Sequence, residues 1–323
     1  MKIIKKNGYN IAVRDGVFDI GDCVLALGNF DGVHLAHRKL LLRAIDIKNS
    51  IGASLVGAWS FEENPLCALT DNPPPYIYNA HTKAEIMLSM GMDFVILCDF
   101  KYFKDMSPSC FVQTHLIGEL GCIGAVCGFN YSFGKFGAGK PELLKSYFSS
   151  ERFDMVEEFK LDGETVSSTK VRKYILEGNV NRAADMLGRP FHINMPIVRG
   201  KRIGRTINFP TANQYFEKGS VIPKIGIYAT RCTTSDGKQY IGVTNVGVRP
   251  TVDSNGVINA ETHILDFDSD IYGQSLKVEF ISYLRDEKKH SSLSELGEAI
   301  SIDTKIARET VNKDCHSKKA VQE

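Results

Sequence analysis

Short apolar runs alternate with helix-like stretches along the first 185 residues of the chain. Four of these runs predict buried strands, and the segments between them carry apolar residues at helical spacing. The strand candidates are 24–27, 54–59, 94–97 and 123–127, and the helix candidates are 37–48, 81–89 and 111–119. Because strand and helix alternate, the pattern predicts an α/β domain whose parallel sheet has helices on both faces.

The pattern changes after residue 190. A helical segment over 171–187, with a break expected at Gly178, ends at Gly188, so we place the boundary between two domains at 187/188. The domains would then cover 1–187 and 188–323. Period-2 runs at 225–231, 240–245, 261–267 and 276–283 predict an antiparallel β-barrel. A closing helix is expected over 292–312, and the polar tail after it is expected to fray.

Composition narrows the class of protein. The chain has 323 residues and a net charge of +1, which suits two domains and gives no electrostatic reason for a nucleic acid or membrane partner. No apolar stretch reaches the ~18–20 residues of a spanning helix, and the basic start lacks the apolar run of a signal peptide. We therefore expect a cytoplasmic protein, with its 8 cysteines as reduced thiols. The sequence leaves its oligomeric state open.

The first candidate site is the turn after the first predicted strand, where an open parallel sheet binds ligands. Glycines there let backbone N–H groups approach phosphate oxygens. His34 and His37 are one helical turn apart and can donate to a phosphoryl group at a helix N-terminus. A common turn containing glycine and aspartate, beside a purely structural histidine pair, is the alternative. The nucleotide-binding candidates in this turn are Gly28, Phe30, Asp31 and Gly32.

Two later segments offer further anion contacts. Hydroxyl groups open the helix predicted from residue 171, and Arg172 follows about one turn on, which makes an anion cradle. A plain helix N-cap is the alternative and is compatible with it. The candidates are Asn130, in the segment 128–134, and Ser167, Ser168, Thr169 and Arg172.

The second domain carries a glycine-rich segment over 200–213. Gly200 and Gly204 suit a loop around a phosphate chain, with Arg205 beside it. Thr211 and Asn213, two apart on an extended segment, point to one side. Their oxygens are hard ligands that suit Mg²⁺ bound together with nucleotide phosphates. A turn in which both side chains cap backbone groups is the alternative.

These segments resemble, in order, the motifs of bacterial bifunctional riboflavin kinase/FAD synthetases. Residues 28–37, 128–134 and 166–172 are similar to G-x-F-D-G-x-H-x-G-H, G-x-(N/D)-(F/Y)-x-F-G and S-S-T-x-(I/V)-R. Residues 200–213, 240–251 and 261–267 are similar to G-x-x-x-G-R-x-x-G-F-P-T-A-N, G-V-x-N-I-G-x-R-P-T and E-(T/V)-H-(I/L)-L-D-F. The resemblance extends over about 21–307.

The resemblance implies a Rossmann-like nucleotidyltransferase domain followed by a riboflavin kinase barrel. ATP would phosphorylate riboflavin to FMN, and a second ATP would adenylylate FMN to FAD with release of pyrophosphate, both with Mg²⁺. The histidines and the Ser/Thr cluster would act on ATP phosphates, and Thr211 and Asn213 would hold the metal.

The resemblance also makes Glu261 the general base, which we expect on the inner face of the barrel; a solvated strand glutamate is the alternative. It suggests Arg285 as a flavin or nucleotide contact, with an ion pair to Glu287 as the alternative.

Three positions depart from the family pattern. Ala36 and Asn208 stand where the family has glycine, and Asn64, kept as a candidate flavin contact, stands where it has histidine. Asn64 can form hydrogen bonds but carries no charge. Two alternatives therefore stay open: a riboflavin kinase whose first domain has lost adenylyl transfer, and a flavin- or nucleotide-sensing regulator that is not an enzyme.

Overall fold

The computed structural model describes residues 1–6, 9–16, 20–199, 209–249, 257–289 and 291–319. The chain forms two compact units, Met1–Ser168 and Thr169–Glu323. The domain boundary predicted at 187/188 lies beyond this division and stays a prediction. In the described parts of the chain, no helix has the length and apolarity needed to cross a membrane.

The first unit is built on a sheet of seven strands among the described residues, in the order β1-β2-β5-β4-β3-β6-β7. Strands β3 to β7 pair in parallel, and β1 and β2 extend the sheet in antiparallel fashion beyond β5. The strands are Lys2–Lys6, Tyr9–Val13, Cys23–Leu27, Leu55–Phe61, Phe94–Cys98, Cys122–Gly128 and Phe153–Val156. The four predicted strands are confirmed, and β1, β2 and β7 were not predicted. A hairpin follows, made of β8 (Lys160–Leu161) and β9 (Glu164–Thr165).

Helices cover both faces of this sheet, as predicted. Along β3, Val24 and Ala26 face the core beneath α1 and α2, while Leu25 and Leu27 face the core beneath α3 and α4. This alternation follows from the two-residue period of a strand. The helices are α1 (Leu35–Ile51), α2 (Ala80–Ser89), α3 (Pro108–Cys110, continuing as the π-helix Phe111–Glu119) and α4 (Pro141–Tyr147).

The second unit is an antiparallel barrel preceded by two helices, α5 (Ser168–Leu176) and α6 (Val180–Leu187). Its sheet has six strands within the described ranges, in the order β10-β15-β12-β13-β14-β11. A backbone bridge from Val198 to Asn213 joins the two ends of this order and closes the barrel. The strands are Phe191–Pro196, Thr211–Tyr215, Gly226–Thr233, Gln239–Arg249, Val257–Ile264 and Ser275–Arg285. The antiparallel barrel is confirmed.

A closing helix, α7 (Leu293–Lys319), packs against the outside of the barrel, as predicted. Ala307 and Val311 lie in a core with outward-facing barrel residues such as Val243. The prediction that the chain frays after residue 312 was wrong, because the helix continues to Lys319. The ion pair between Asp314 and Arg231, 2.7 Å long, ties this extension to strand β12.

Candidate active sites

The N-terminus of α1 is a capped helix start that brings the two histidines together. His34 is the N-cap residue, and its Nδ1 accepts a hydrogen bond from the backbone N–H of His37 at 3.3 Å. The two imidazole rings stack with centroids 3.6 Å apart and an interplanar angle of 12°. His34 is buried, whereas His37 is partly exposed and lines a cavity. The stacked pair thus presents one edge at the positive end of the helix dipole.

The turn between β3 and α1 is held in an unusual backbone conformation. Phe30, Gly32 and Val33 have φ angles of 53°, 79° and 43°. Left-handed geometry at residues other than glycine costs about 1–3 kcal/mol each and occurs often at functional sites. Asp31 fixes this turn: its carboxylate accepts from Ile77 N at 2.9 Å. Its backbone oxygen accepts from the Ser168 hydroxyl at 2.8 Å.

Lys83 is a residue of this site that sequence reasoning missed. It is buried on α2, and its ammonium donates to the backbone oxygens of Phe61 at 2.7 Å and Asn29 at 3.2 Å. Burial lowers the pKa of Lys83 to about 8, while the negative charge of Asp31 acts in the opposite direction. One feature of the sequence could have revealed this residue. Lys83 stands four residues before Met87, which places a lysine on the apolar face of the helix.

A cavity of about 410 Å³ lies at the carboxyl ends of the parallel strands. Seven of its 19 lining residues are aromatic, among them Trp59, Phe61 and Phe103. Polar groups of Asn29, His37, Asn130 and Ser132 and the backbone of Gly28 lie at its margin. Its size falls within the ~300–1,000 Å³ typical of small-molecule sites, and its walls suit a flat, largely apolar ring.

Two other predicted contacts have local roles. Asn64 caps the short turn Pro65–Ala68 by accepting from Leu66 N at 3.0 Å, and Pro65 itself lines the cavity. Arg172, on α5, donates to the Thr169 hydroxyl at 3.4 Å. Ser167 directly precedes α5, so the hydroxyls do open a helix. These contacts do not test whether the serine, threonine and arginine side chains bind a nucleotide, so that role stays a prediction.

In the second unit, the register of the barrel places three predicted residues side by side. Asn213 of β11 pairs with Glu261 of β14, and Thr211 pairs with His263. Residues directly opposite each other in antiparallel strands have Cβ atoms ~4.5–5.5 Å apart. The Asn213 amide nitrogen lies 3.5 Å from the Thr211 hydroxyl. The candidate base and the candidate metal ligands therefore form one cluster.

Asn259 connects this cluster and was missed from the sequence. Its amide nitrogen donates to Glu261 Oε1 at 3.1 Å and to Asn213 Oδ1 at 3.3 Å. It is 3% exposed, so both bonds lie in a dry environment. The sequence feature that could have revealed it is its position two residues before Glu261, because residues two apart lie on the same face of a strand.

Asn245 stands on the other side of Glu261, as its register partner on β13. Its amide nitrogen donates to Glu287 at 3.0 Å. Its Oδ1 is buried and has no hydrogen-bond partner among the described residues. Asn245 therefore places an unpaired, enclosed acceptor on the strand next to Glu261.

The expectation that Glu261 lies on the inner face of the barrel was wrong. The inward positions hold Thr230, Thr244 and Thr262, fully buried and joined hydroxyl to hydroxyl at 2.9 Å. Because side chains alternate along a strand, Glu261 lies on the opposite, outer face. The threonine hydroxyls form hydrogen bonds with one another. Polar residues can therefore occupy the interior of the barrel at these positions.

The alternative ion pair proposed for Arg285 involves a different partner. Arg285 donates to both carboxylate oxygens of Asp303 on α7, at 3.0 and 2.7 Å, and not to Glu287. Asp303 is 3% exposed, so this two-point contact anchors α7 to the barrel. Whether Arg285 also contacts a ligand stays a prediction.

A second cavity, of about 810 Å³, adjoins the cluster and is lined by Thr211, His263 and the segment 266–272. The predicted phosphate-loop residues Gly200, Gly204 and Arg205 lie outside the described residues, as do Asn208 and the end of the segment 240–251. Their predicted roles therefore have no structural counterpart here.

The Thr211–Asn213 pair has the donor types for a magnesium ion shared with a nucleotide, with the Asn213 amide nitrogen toward the Thr211 hydroxyl and its Oδ1 toward Asn259 in this structure. The hydroxyl oxygen and the amide oxygen are hard donors, and Asn213 Oδ1 keeps a second lone pair beside its bond from Asn259. The described residues contain no group of three or more His, Cys, Asp or Glu side chains that could bind a metal without such help. A metal here would therefore depend on phosphate oxygens for the rest of its ligands.

Known proteins resemble this chain in both its N-terminal and its C-terminal half. The FAD synthetase family model matches residues 19–170, and the riboflavin kinase model matches 187–311. The chain is 32% identical over 278 residues to the Listeria monocytogenes bifunctional riboflavin kinase/FMN adenylyltransferase, covering 84% of this chain and 87% of the relative. It is 34% identical over 294 residues to the Escherichia coli protein of that name, covering 89% and 92%.

A solved structure shows the same fold over nearly the whole chain. It comes from Streptococcus pneumoniae, is described as a macrolide-efflux protein, and superposes with a TM-score of 0.81 at 29% identity, covering 92% of this chain and 97% of that one. The two family models lie one after the other along this chain, and the curated relatives match across both. This chain belongs to the family of bifunctional riboflavin kinase/FMN adenylyltransferases.

Proposed function

We propose that this protein makes both flavin cofactors, converting riboflavin to FMN with one ATP and FMN to FAD with a second. The observation that carries the proposal is the pairing of Glu261 with Asn213 across two strands, with Asn259 bonded to both. It places a carboxylate beside a hard-oxygen cluster, the combination that phosphorylation of an alcohol requires. The substrates are small molecules, and the location stays predicted as cytoplasmic, without a nucleic acid or membrane partner.

In the kinase step, Glu261 accepts the proton of the ribityl 5′-hydroxyl as its oxygen forms a bond to the γ-phosphorus of ATP. The bond from that phosphorus to the β,γ-bridging oxygen breaks, and ADP leaves. Asn259 holds the carboxylate in place. Thr211 and Asn213 would hold Mg²⁺, which when bound neutralises phosphate charge.

In the adenylyl step, a phosphate oxygen of FMN forms a bond to the α-phosphorus of the second ATP, and pyrophosphate leaves. His34 and His37 donate to phosphate oxygens whose charge grows in the transition state, next to the N-terminus of α1. The aromatic cavity beside them takes the flavin ring. The strained turn 30–33 positions backbone N–H groups toward the phosphates.

The test is chromatographic analysis of products from riboflavin, ATP and Mg²⁺, in the wild type and in Glu261→Gln. The wild type should yield FMN and then FAD. The variant should lose about 10²- to 10⁴-fold in riboflavin phosphorylation, the usual worth of a general base. FAD formation from added FMN should be unchanged in the same preparation. Unchanged phosphorylation in the variant would remove Glu261 from the mechanism.

The same experiment decides between the alternatives. FMN that accumulates without FAD, even when FMN is supplied, would identify a kinase with an inactive first domain. Binding of flavin and ATP without any product would identify a regulator. Ala36 and Asn64 motivate the first of these, because both replace residues that the family pattern has at the adenylyl site.

A further inference from the structure

Trp59 is a fully buried residue whose indole N–H has no acceptor among the described residues. It lies in the middle of β4, between Leu27 of β3 and Ile96 of β5. A buried donor without a partner costs about 1–3 kcal/mol, and native structures rarely leave one. Two polar side chains near it are already bonded: Tyr9 donates to Glu119 at 2.7 Å, and Ser60 donates to Asn29 O at 2.8 Å.

The surroundings of Trp59 do not require an indole for packing. Its ring contacts those of Tyr9, Phe103 and Phe111 edge to face, with centroids 5.1–5.4 Å apart. Phenylalanine, without a polar atom, is the usual choice for such a cluster. The indole therefore adds an unsatisfied N–H to a site that two phenylalanines otherwise fill with hydrocarbon.

Trp59 also lines the aromatic cavity of the first unit. Its backbone oxygen accepts from Gly28 N at 3.2 Å, which places the residue directly beneath the predicted nucleotide turn. An isoalloxazine ring entering this cavity brings carbonyl oxygens and ring nitrogens, which are hydrogen-bond acceptors, next to aromatic walls and a few polar side chains. The indole nitrogen is enclosed in this structure, so the ring has to displace a neighbouring side chain before one of its acceptors reaches this donor.

We infer that the Trp59 indole N–H donates a hydrogen bond to the flavin ring of FMN and so sets the specificity of the adenylyl site for a ring with acceptor atoms on its edge. The inference rests on the proposed function and deepens it. Recognition through the ring distinguishes FMN from other phosphate monoesters, a distinction that His34 and His37, which act on the phosphates of ATP, do not make. An analogue must carry an acceptor where the indole points, because loss of that bond leaves a buried donor unpaired.

Nuclear magnetic resonance tests the bond directly, because the chain contains one tryptophan. In the ¹⁵N-labelled full-length protein, its indole N–H gives a single signal. Saturating FMN, or lumiflavin, which is the isoalloxazine ring with a methyl group in place of the sugar chain, should move the proton signal downfield, and Mg-ATP alone should not. A signal that stays in place or moves upfield with FMN would overturn the inference, and would fit an N–H already directed at a neighbouring aromatic face.

Kinetics of Trp59→Phe give the second test. The KM for FMN in FAD formation should rise about tenfold, the effect of one lost hydrogen bond, while the KM for ATP stays within twofold. Riboflavin phosphorylation by the same preparation controls for folding of the second unit, and the KM for ATP in FAD formation controls for folding of the first. Phe94→Leu is the matched control, since Phe94 is fully buried in the same core but does not line the cavity. It should lower stability and leave the KM for FMN within twofold.

The two proposals fail in different ways. If the wild type makes no FAD from FMN and ATP, the adenylyl function itself is lost. If it makes FAD and Trp59→Phe keeps the wild-type KM for FMN, only the role of Trp59 is lost. An equal rise in KM for Phe94→Leu would likewise overturn it, because general loosening of the core would then explain the effect.

Discussion

At the scale of single residues, Asn259 controls the geometry of the kinase cluster. It donates to Glu261 and to Asn213 and is almost fully buried. We expect Asn259→Ala to lower kcat for riboflavin phosphorylation about 10- to 100-fold, because a bond to a charged group contributes about 1.5–3 kcal/mol. The double variant with Glu261→Gln should lose no more than Glu261→Gln alone, since the two residues act as one unit.

Asn259→Asp separates positioning from packing. Aspartate has nearly the size of asparagine, but its carboxylate cannot donate to Glu261 and repels it instead. The loss in kcat for phosphorylation should therefore be at least as large as in Asn259→Ala. A wild-type kcat in Asn259→Asp would contradict the positioning role of Asn259.

Lys83 predicts an alkaline limit for FAD formation that riboflavin phosphorylation lacks. Its lowered pKa of about 8 means that the ammonium loses its proton as pH rises past that value. The bonds to Asn29 O and Phe61 O then lose their charge assistance, and the turn beside the adenylyl site loosens. Asp31 and Cys98 are the groups whose charges act on Lys83.

The measurement is kcat against pH for FAD formation and for riboflavin phosphorylation in one preparation. We expect a decline near pH 8 in the first activity alone. Lys83→Met, which cannot titrate, should have a lower plateau without this decline. An identical decline in Lys83→Met would assign it to another group.

At the scale of elements, helix α1 allows capping to be separated from catalysis. His34 caps the helix through its side chain, and loss of an N-cap costs about 0.5–2 kcal/mol. His34→Ala should lose both this stability and FAD formation. His34→Asn should keep the cap, because asparagine is among the best N-cap residues, yet lose FAD formation about 10²- to 10³-fold. Thermal denaturation and FAD assays on both variants check this, and full activity of His34→Asn would leave His34 with a structural role only.

The elements that could be predicted were those with a clear period. The strands at the centre of the parallel sheet are uniformly apolar, and α1 has its apolar stripe, so both were found from the sequence. Strand β1 was missed because its Lys-rich sequence lies at the edge of the sheet. The inner face of the barrel was misassigned because Thr262, a polar residue, faces inward and Glu261 outward.

At the scale of the whole molecule, site residues that are close together in the sequence could be predicted. Site residues that come from distant parts of the sequence could not. The histidine pair and Thr211 with Asn213 each lie on a few consecutive residues. Lys83 and Trp59 reach the adenylyl site only through the order of strands β3, β4 and β5 and the packing of α2. Strand order and register are set by tertiary packing, which one sequence does not display.

Acid should inactivate the two activities at different pH values, because a buried histidine lies in the second unit. Burial, aided by the charges of Lys277 and Arg189, lowers the pKa of His192 to about 3. Unfolded histidine titrates near ~6.5, so between these values the unfolded state binds a proton that the folded state does not. Stability of the second unit is therefore present above pH ~6.5 and is lost as pH falls, by about 1.4 kcal/mol per pH unit.

We expect riboflavin phosphorylation to be lost at a higher pH than FAD formation when aliquots are incubated in acid and assayed. His192→Leu removes the titrating group, so its unfolding free energy should fall less steeply between pH 6.5 and 4.5 than that of the wild type. The slope is the readout, because the substitution also alters packing and shifts the absolute stability. Parallel slopes for variant and wild type would show that other groups set the acid limit, since a single histidine with this pKa must contribute a slope of its own.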